Sequence, residues 1–259
     1  MYRYKQIEYR AGATVEIIKC IPRGCRKGLR KGPKKTKEEI RQGNMQQAVR
    51  RLARKLNANF RPGDLHVILT YRKEERPSAE EAKEILRKFL DRLRRKYRRQ
   101  GRELKYIHVT EYKRTAIHHH LIVNHINDGK ETTMDYIRKL WSGRGSPKYV
   151  QLYETGEYQQ LAEYLIKETE KTFRDAPEKQ RYGCSRNLIE PKAERRIRKT
   201  KNGWQKEPRP REGYYILPDS LYNGFDRLGY PYQRYVLVKI RPSEADWNPF
   251  ADHPVTIRD

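Results

Sequence analysis

This chain is short of acid relative to base, of cysteine and of long apolar runs. Its 33 Asp plus Glu stand against 59 Lys plus Arg, a formal net charge of +26. So large an excess opposes compaction and calls for a polyanionic partner. Cysteine occurs three times, at Cys20, Cys25 and Cys184, with no tight pair. That excludes a disulfide scaffold and a zinc finger, and fits a reducing cytoplasm. No stretch approaches the roughly 20 apolar residues that span a bilayer, so no membrane partner is expected. The opening Met1-Tyr2-Arg3-Tyr4 is followed by no apolar signal core, so secretion is not expected. There is no internal repeat.

Apolar residues make up 36% of the 259, enough for one moderate core under a densely charged surface. Val15 to Ile18 could form a short strand. Pro22 to Lys37 carries eight Lys or Arg among glycines and prolines and reads as an extended basic arm. Residues 38–59 have helical apolar spacing. From residue 65 the order is strand (65–71), helix (from Ser78, with Glu81 completing a capping box), a hairpin of two strands (104–112 and 116–124), helix (132–141), strand (149–152) and helix (157–171). This order predicts an α+β fold, an antiparallel sheet with helices packed on one face. The expected division is a basic N-terminal arm and helix (1–60), a core (61–173) and a basic, aromatic extension (174–259). That extension holds a second basic run from Lys192 to Arg211 and one strand candidate, Tyr235 to Ile240.

The central motif is Ile117-His118-His119-His120-Leu121-Ile122-Val123. Strand side chains alternate faces, so His118 and His120 share one face while His119 points to the core. If the hairpin turns near Arg114, Glu111 falls opposite His118. Two imidazoles and a carboxylate with open positions suit Mg²⁺ or Mn²⁺, which can polarise a phosphate oxygen. A lone histidine would read as structural, but a His-x-His pair on an apolar strand with a carboxylate across the hairpin favours metal.

Leu161-Ala162-Glu163-Tyr164-Leu165-Ile166-Lys167 forms a second constellation. Tyr164 and Lys167 are neighbours on a helix. A phenol, with a pKa near 10, is a poor nucleophile at neutral pH, and a nearby ammonium favours the phenolate. In a chain of 19 tyrosines, an ordinary half-buried Tyr explains this helix taken alone equally well.

These motifs resemble those of the HUH endonucleases. Val67-Ile68-Leu69-Thr70-Tyr71 is similar to their early hydrophobic strand, His118-His119-His120 to the paired-histidine motif apart from its middle position, and Leu161 to Lys167 to the tyrosine motif at every position. Residues 38–240 look more closely like replication-associated proteins of Gram-positive plasmids, phages and integrative elements. Asn57 to Asp64, Leu161 to Glu168 and Ser185 to Leu188 carry that likeness.

The resemblance implies a ferredoxin-like core and a rolling-circle replication initiator acting on single-stranded or hairpin origin DNA. His118, His120 and Glu111 would hold the metal. Tyr164 would attack the scissile phosphate, assisted by Lys167, leaving a 3′-hydroxyl and a 5′-phosphotyrosine that permits later rejoining. Tyr158 is the competing nucleophile, about 240° around the helix from Tyr164. Arg94, Arg95, Arg98, Lys113 and Arg114 are the expected DNA contacts. The extension from 174 is open to duplex origin DNA, a host helicase or a multimer contact. Two alternatives remain: a conjugative relaxase or single-strand transposase with the same chemistry, and a non-catalytic nucleic-acid-binding domain, which would expose stacking aromatics on its strands.

Overall fold

The computed structural model describes residues 1–28, 32–113, 116–170 and 181–247. Its elements, in chain order, begin with β1 (Tyr2–Ala11), β2 (Thr14–Cys20), α1 (Lys37–Asn59), β3 (Leu65–Leu69) and α2 (Ala79–Arg99). The hairpin β4 (Tyr106–Lys113) and β5 (Ala116–Val123) follows, then α3 (Thr133–Trp141), β6 (Lys148–Gln151) and α4 (Gln159–Glu168). Last come β7 (Gly183–Cys184), β8 (Ala193–Thr200), β9 (Tyr214–Ile216), β10 (Tyr222–Phe225) and β11 (Pro231–Lys239). The fold is α+β with antiparallel sheets. Among the described residues, no helix is long and apolar enough to cross a membrane.

Two compact units divide the chain. The first holds residues 1–59, 155–157 and 189–259, and the second holds 60–154 and 158–188. The N-terminal segment and the C-terminal extension, separate in the sequence reading, therefore build one unit.

The second unit carries a five-stranded sheet in the order β6-β3-β5-β4-β7. Its elements from β3 to α4 follow the predicted order. On one face, Leu65, Val67, Leu69, Leu121 and Val123 pack against the apolar stripe of α2 (Leu86, Phe89, Leu90, Leu93, Tyr97) and against Tyr136, Ile137 and Trp141 of α3. Each such side chain contributes roughly 1.5–3 kcal/mol on full burial. The capping box forms: the Glu81 backbone N–H donates to Ser78 Oγ (3.3 Å), and the Ser78 N–H donates to the Glu81 carboxylate (2.8 Å). Such a cap contributes about 1 kcal/mol.

The expectation of helices on one face needs correction. α4 packs on the opposite face of the sheet, where its Tyr164 ring meets His66 and His120. The sequence order specified that α4 exists but not which face of the sheet its apolar stripe would cover.

In the first unit the sheet order is β10-β11-β2-β1-β8, with β9 also paired to β11. Ile17 of β2 pairs with Glu8 of β1 and with Tyr235 of β11. The ordered β1–β2 hairpin begins at Tyr2, ahead of the short strand expected at Val15–Ile18. Its first strand buries polar groups, which hides any apolar alternation. Gln6 and Arg211 both donate to the Glu8 carboxylate. α1 covers one side. Arg54 stacks 3.9 Å over the Tyr9 ring and pairs with buried Glu16, which also pairs with Arg234.

Candidate metal and tyrosine centre

β4 and β5 pair with Glu111 opposite His118 and Val109 opposite His120. β3 lies on the other side of β5, with Ile68 opposite His120 and His66 opposite Ile122. Strand alternation therefore places Glu111, His118, His120 and His66 on one sheet face. The same Glu111 oxygen, Oε2, lies 3.6 Å from His118 Nδ1 and 3.6 Å from His120 Nε2. Glu111 and His120 are buried, while 28% of the His118 side chain is exposed, so the set opens on the His118 side.

Ligands sharing one divalent ion through bonds of about 2.1–2.3 Å stand about 3.0–3.7 Å apart. Both carboxylate–imidazole separations fall in that range. Neither is a hydrogen bond at 3.6 Å. Two neutral imidazoles and a carboxylate are a suitable donor set for Mn²⁺ or Mg²⁺. The three are not closed around a common point: among the described residues, no group of three or more His, Cys, Asp or Glu is arranged to hold an ion as it stands. The donor chemistry fits, and a side-chain adjustment has to complete the geometry.

His66 extends this group in a way the sequence reading missed. Its Nε2 is 3.1 Å from His120 Nδ1, the nitrogen on the far side of the ring from Glu111. Burial pushes the His66 imidazole down to about 4, so it is neutral at pH 7. His66 sits inside Leu65-His66-Val67-Ile68-Leu69, which reads as a plain apolar strand. Only the β3–β5 register brings it diagonally against His120, and that register has no local sequence signal.

His119 points to the other face as expected. It is fully buried, with Nε2 2.9 Å from the Tyr71 hydroxyl and Nδ1 2.9 Å from Thr110 Oγ1. Both ring nitrogens are engaged, and burial pushes its pKa down to about 3. It is a structural histidine.

The Tyr164 ring meets His120 edge-on at 5.4 Å between centroids, and His66 at 6.4 Å. Tyr164 is 40% exposed. Lys167, one turn on, is also exposed. Tyr158 is the N-cap residue of α4 and is 0% exposed, with its ring 6.2 Å from that of Tyr153. Its phenol is closed to a polynucleotide.

The expected DNA contacts are not all brought to this centre. Arg94, Arg95 and Arg98 lie on α2, which covers the opposite sheet face. Arg94 is also engaged within the fold, donating to Asp91 (2.6 Å) and to the Tyr106 hydroxyl (3.3 Å). Arg95 and Arg98 are exposed. Arg114 and the side chain of Lys113 lie outside the described residues.

Residues 64–173 match the model of a replication-associated protein family, the one of the ORF2 type. The match runs from the turn before β3 through α4, fewer than half of the residues in the chain. That segment, which carries all four sheet-face side chains and Tyr164, is similar to a family of DNA replication. No curated protein and no solved structure matches the chain.

Proposed function

We propose that the protein is a rolling-circle replication initiator that nicks single-stranded origin DNA with Tyr164. The observation carrying this reading is the meeting of a part-exposed tyrosine with a His-Glu-His face that opens on its His118 side, inside the segment similar to a replication family.

In this reading His118, His120 and Glu111 would hold a Mg²⁺ or Mn²⁺ ion, which when bound draws charge from the scissile phosphate. In that state His120 would carry its proton on Nδ1, where His66 Nε2 lies 3.1 Å away to accept it, leaving Nε2 free for the ion. Tyr164 loses its phenolic proton, and its oxygen forms a bond to phosphorus as the phosphorus–3′-oxygen bond breaks. The departing 3′-oxygen takes up a proton. The products are a 5′-phosphotyrosine and a 3′-hydroxyl able to prime synthesis. The adduct conserves the phosphodiester energy, so the reverse attack rejoins a strand. Lys167 offsets negative charge beside the phenolate and phosphate.

His66 favours a second reading with the same chemistry, because a third imidazole on this face is the pattern of relaxases. Its position argues for the initiator instead. His66 meets the far nitrogen of His120 rather than the Glu111 side, so it backs the donor set and does not join it.

The test is incubation with single-stranded origin DNA and Mn²⁺, followed by a denaturing gel. Wild-type protein should form a metal-dependent covalent adduct. Tyr164→Phe should form none, and an adduct persisting in that variant would overturn the assignment.

A further inference from the structure

Some cations of the first unit are paired within it, and others, on the β1–β8 ribbon and elsewhere, are not. Arg26, Arg54, Arg211, Arg234 and Lys55 each pair with a carboxylate of the same unit. Arg3, Lys5, Arg195, Arg198 and Lys199 form no ion pair among the described residues. All five lie on two neighbouring strands. Among the described residues β8 is an edge strand, hydrogen-bonded to β1 alone, and residues 194–199 are all exposed. In that pairing Lys199 stands opposite Arg3, Ile197 opposite Lys5 and Arg195 opposite Ile7. Arg3, Lys5, Arg195 and Lys199 therefore project from one face of the ribbon, and Arg198 from the other. The single acid of β8, Glu194, is neutralised by Arg10 and Arg196.

We propose that the β1–β8 edge is a phosphate-binding surface for duplex DNA, separate from the Tyr164 centre and independent of its nicking chemistry. One or two lysines suffice to keep an edge strand from pairing with another chain. Here the charge is far denser and mostly arginine, which suits phosphate. Cations on one strand face repeat at about 6.7 Å and those on adjacent strands at about 4.8 Å. Duplex DNA presents one charge per about 1.7 Å of axis, so such a ribbon can engage several phosphates at once. A single-strand surface would add stacking aromatics. β8 has none, and the tyrosines of β1 are not free to stack: Tyr2 and Tyr4 lie edge-on against Trp204, with Tyr4 buried, and Tyr9 lies under Arg54.

The full chain carrying Arg195→Ala, Arg198→Ala and Lys199→Ala is compared with wild type for binding a short duplex of arbitrary sequence across a salt series. Single-strand binding and nicking are read in parallel. Three lost phosphate contacts should flatten the slope of log affinity against log salt by about 2–3. Duplex affinity should fall at low salt, while single-strand nicking stays at the wild-type rate. A single replacement of the exposed Lys199 (Lys199→Gln) should flatten the slope by about 1, and it keeps the test decisive if the triple variant does not fold, since an unchanged slope there would count against the proposal. Unchanged duplex affinity and slope in a folded alanine variant would overturn the proposal. So would an equal loss of duplex and single-strand binding, or a variant whose only defect is self-association.

Discussion

His66 stands behind His120, with its Nε2 3.1 Å from the Nδ1 that points away from Glu111. The two nitrogens of His120 thus face different partners, Nδ1 toward His66 and Nε2 toward Glu111. Replacing His66 by Phe should weaken Mn²⁺ binding by about 10- to 100-fold with little change in duplex affinity. His66→Gln, whose side-chain carbonyl can still accept from His120 Nδ1, should recover most of the loss. Titration of the Mn²⁺ EPR signal reads both without any reference to cleavage. Equal Mn²⁺ affinity in wild type and His66→Phe would dismiss the role.

Among the described residues, Glu111 is the one carboxylate within 3.6 Å of both imidazoles. Glu111→Gln keeps the shape and removes the charge. It should bind Mn²⁺ at least about tenfold more weakly and nick more slowly, with partial recovery at high Mn²⁺. Full activity in chelator-treated wild-type protein would argue against metal chemistry altogether.

The two tyrosines of the α4 region should separate cleanly. Tyr158→Phe keeps a fully buried ring and removes only its hydroxyl, so it should keep the fold and leave adduct formation intact. Thermal melts and the denaturing gel read the two effects. Loss of the adduct in a folded Tyr158→Phe protein would reopen the choice of nucleophile.

Asp64 gives the second unit a pH dependence. Burial pushes its carboxyl up from 3.8 to about 6, against the backbone N–H groups of His125 and Arg61 that hold it down. A carboxyl raised in the folded state binds its proton more tightly there than when unfolded. Its contribution to stability is therefore complete below about pH 4 and lost as pH rises through about 6. Urea midpoints of wild type minus Asp64→Asn should fall across that window, and a flat difference would contradict the shift.

Much of the second unit was legible because its signals are local. Ser78 and Glu81 announced the start of α2, and alternation alone separated His118 and His120 from His119. The short turn put Glu111 opposite His118, and the pairing holds. What stayed hidden depends on contacts distant in sequence. His66 needed the β3–β5 register, and the side covered by α4 needed the packed sheet. In the first unit, β1 escaped because Gln6 and Glu8 are buried as satisfied polar groups. β8 escaped because Glu194-Arg195-Arg196 reads as a charged arm until it is seen paired to β1.

The pairing of Ile17 with Tyr235 has a consequence for synthesis on the ribosome. The β1–β2 hairpin emerges early but lacks its β8 and β11 neighbours until those late strands have been made. The second unit lies between these halves in sequence and needs nothing translated after residue 188 to be complete. It can fold first, while the N-terminal hairpin waits with both sheet edges open. Chains stalled before β8 would then carry a finished tyrosine centre and an unfinished basic sheet, and nascent-chain proteolysis should show protection appearing in that order.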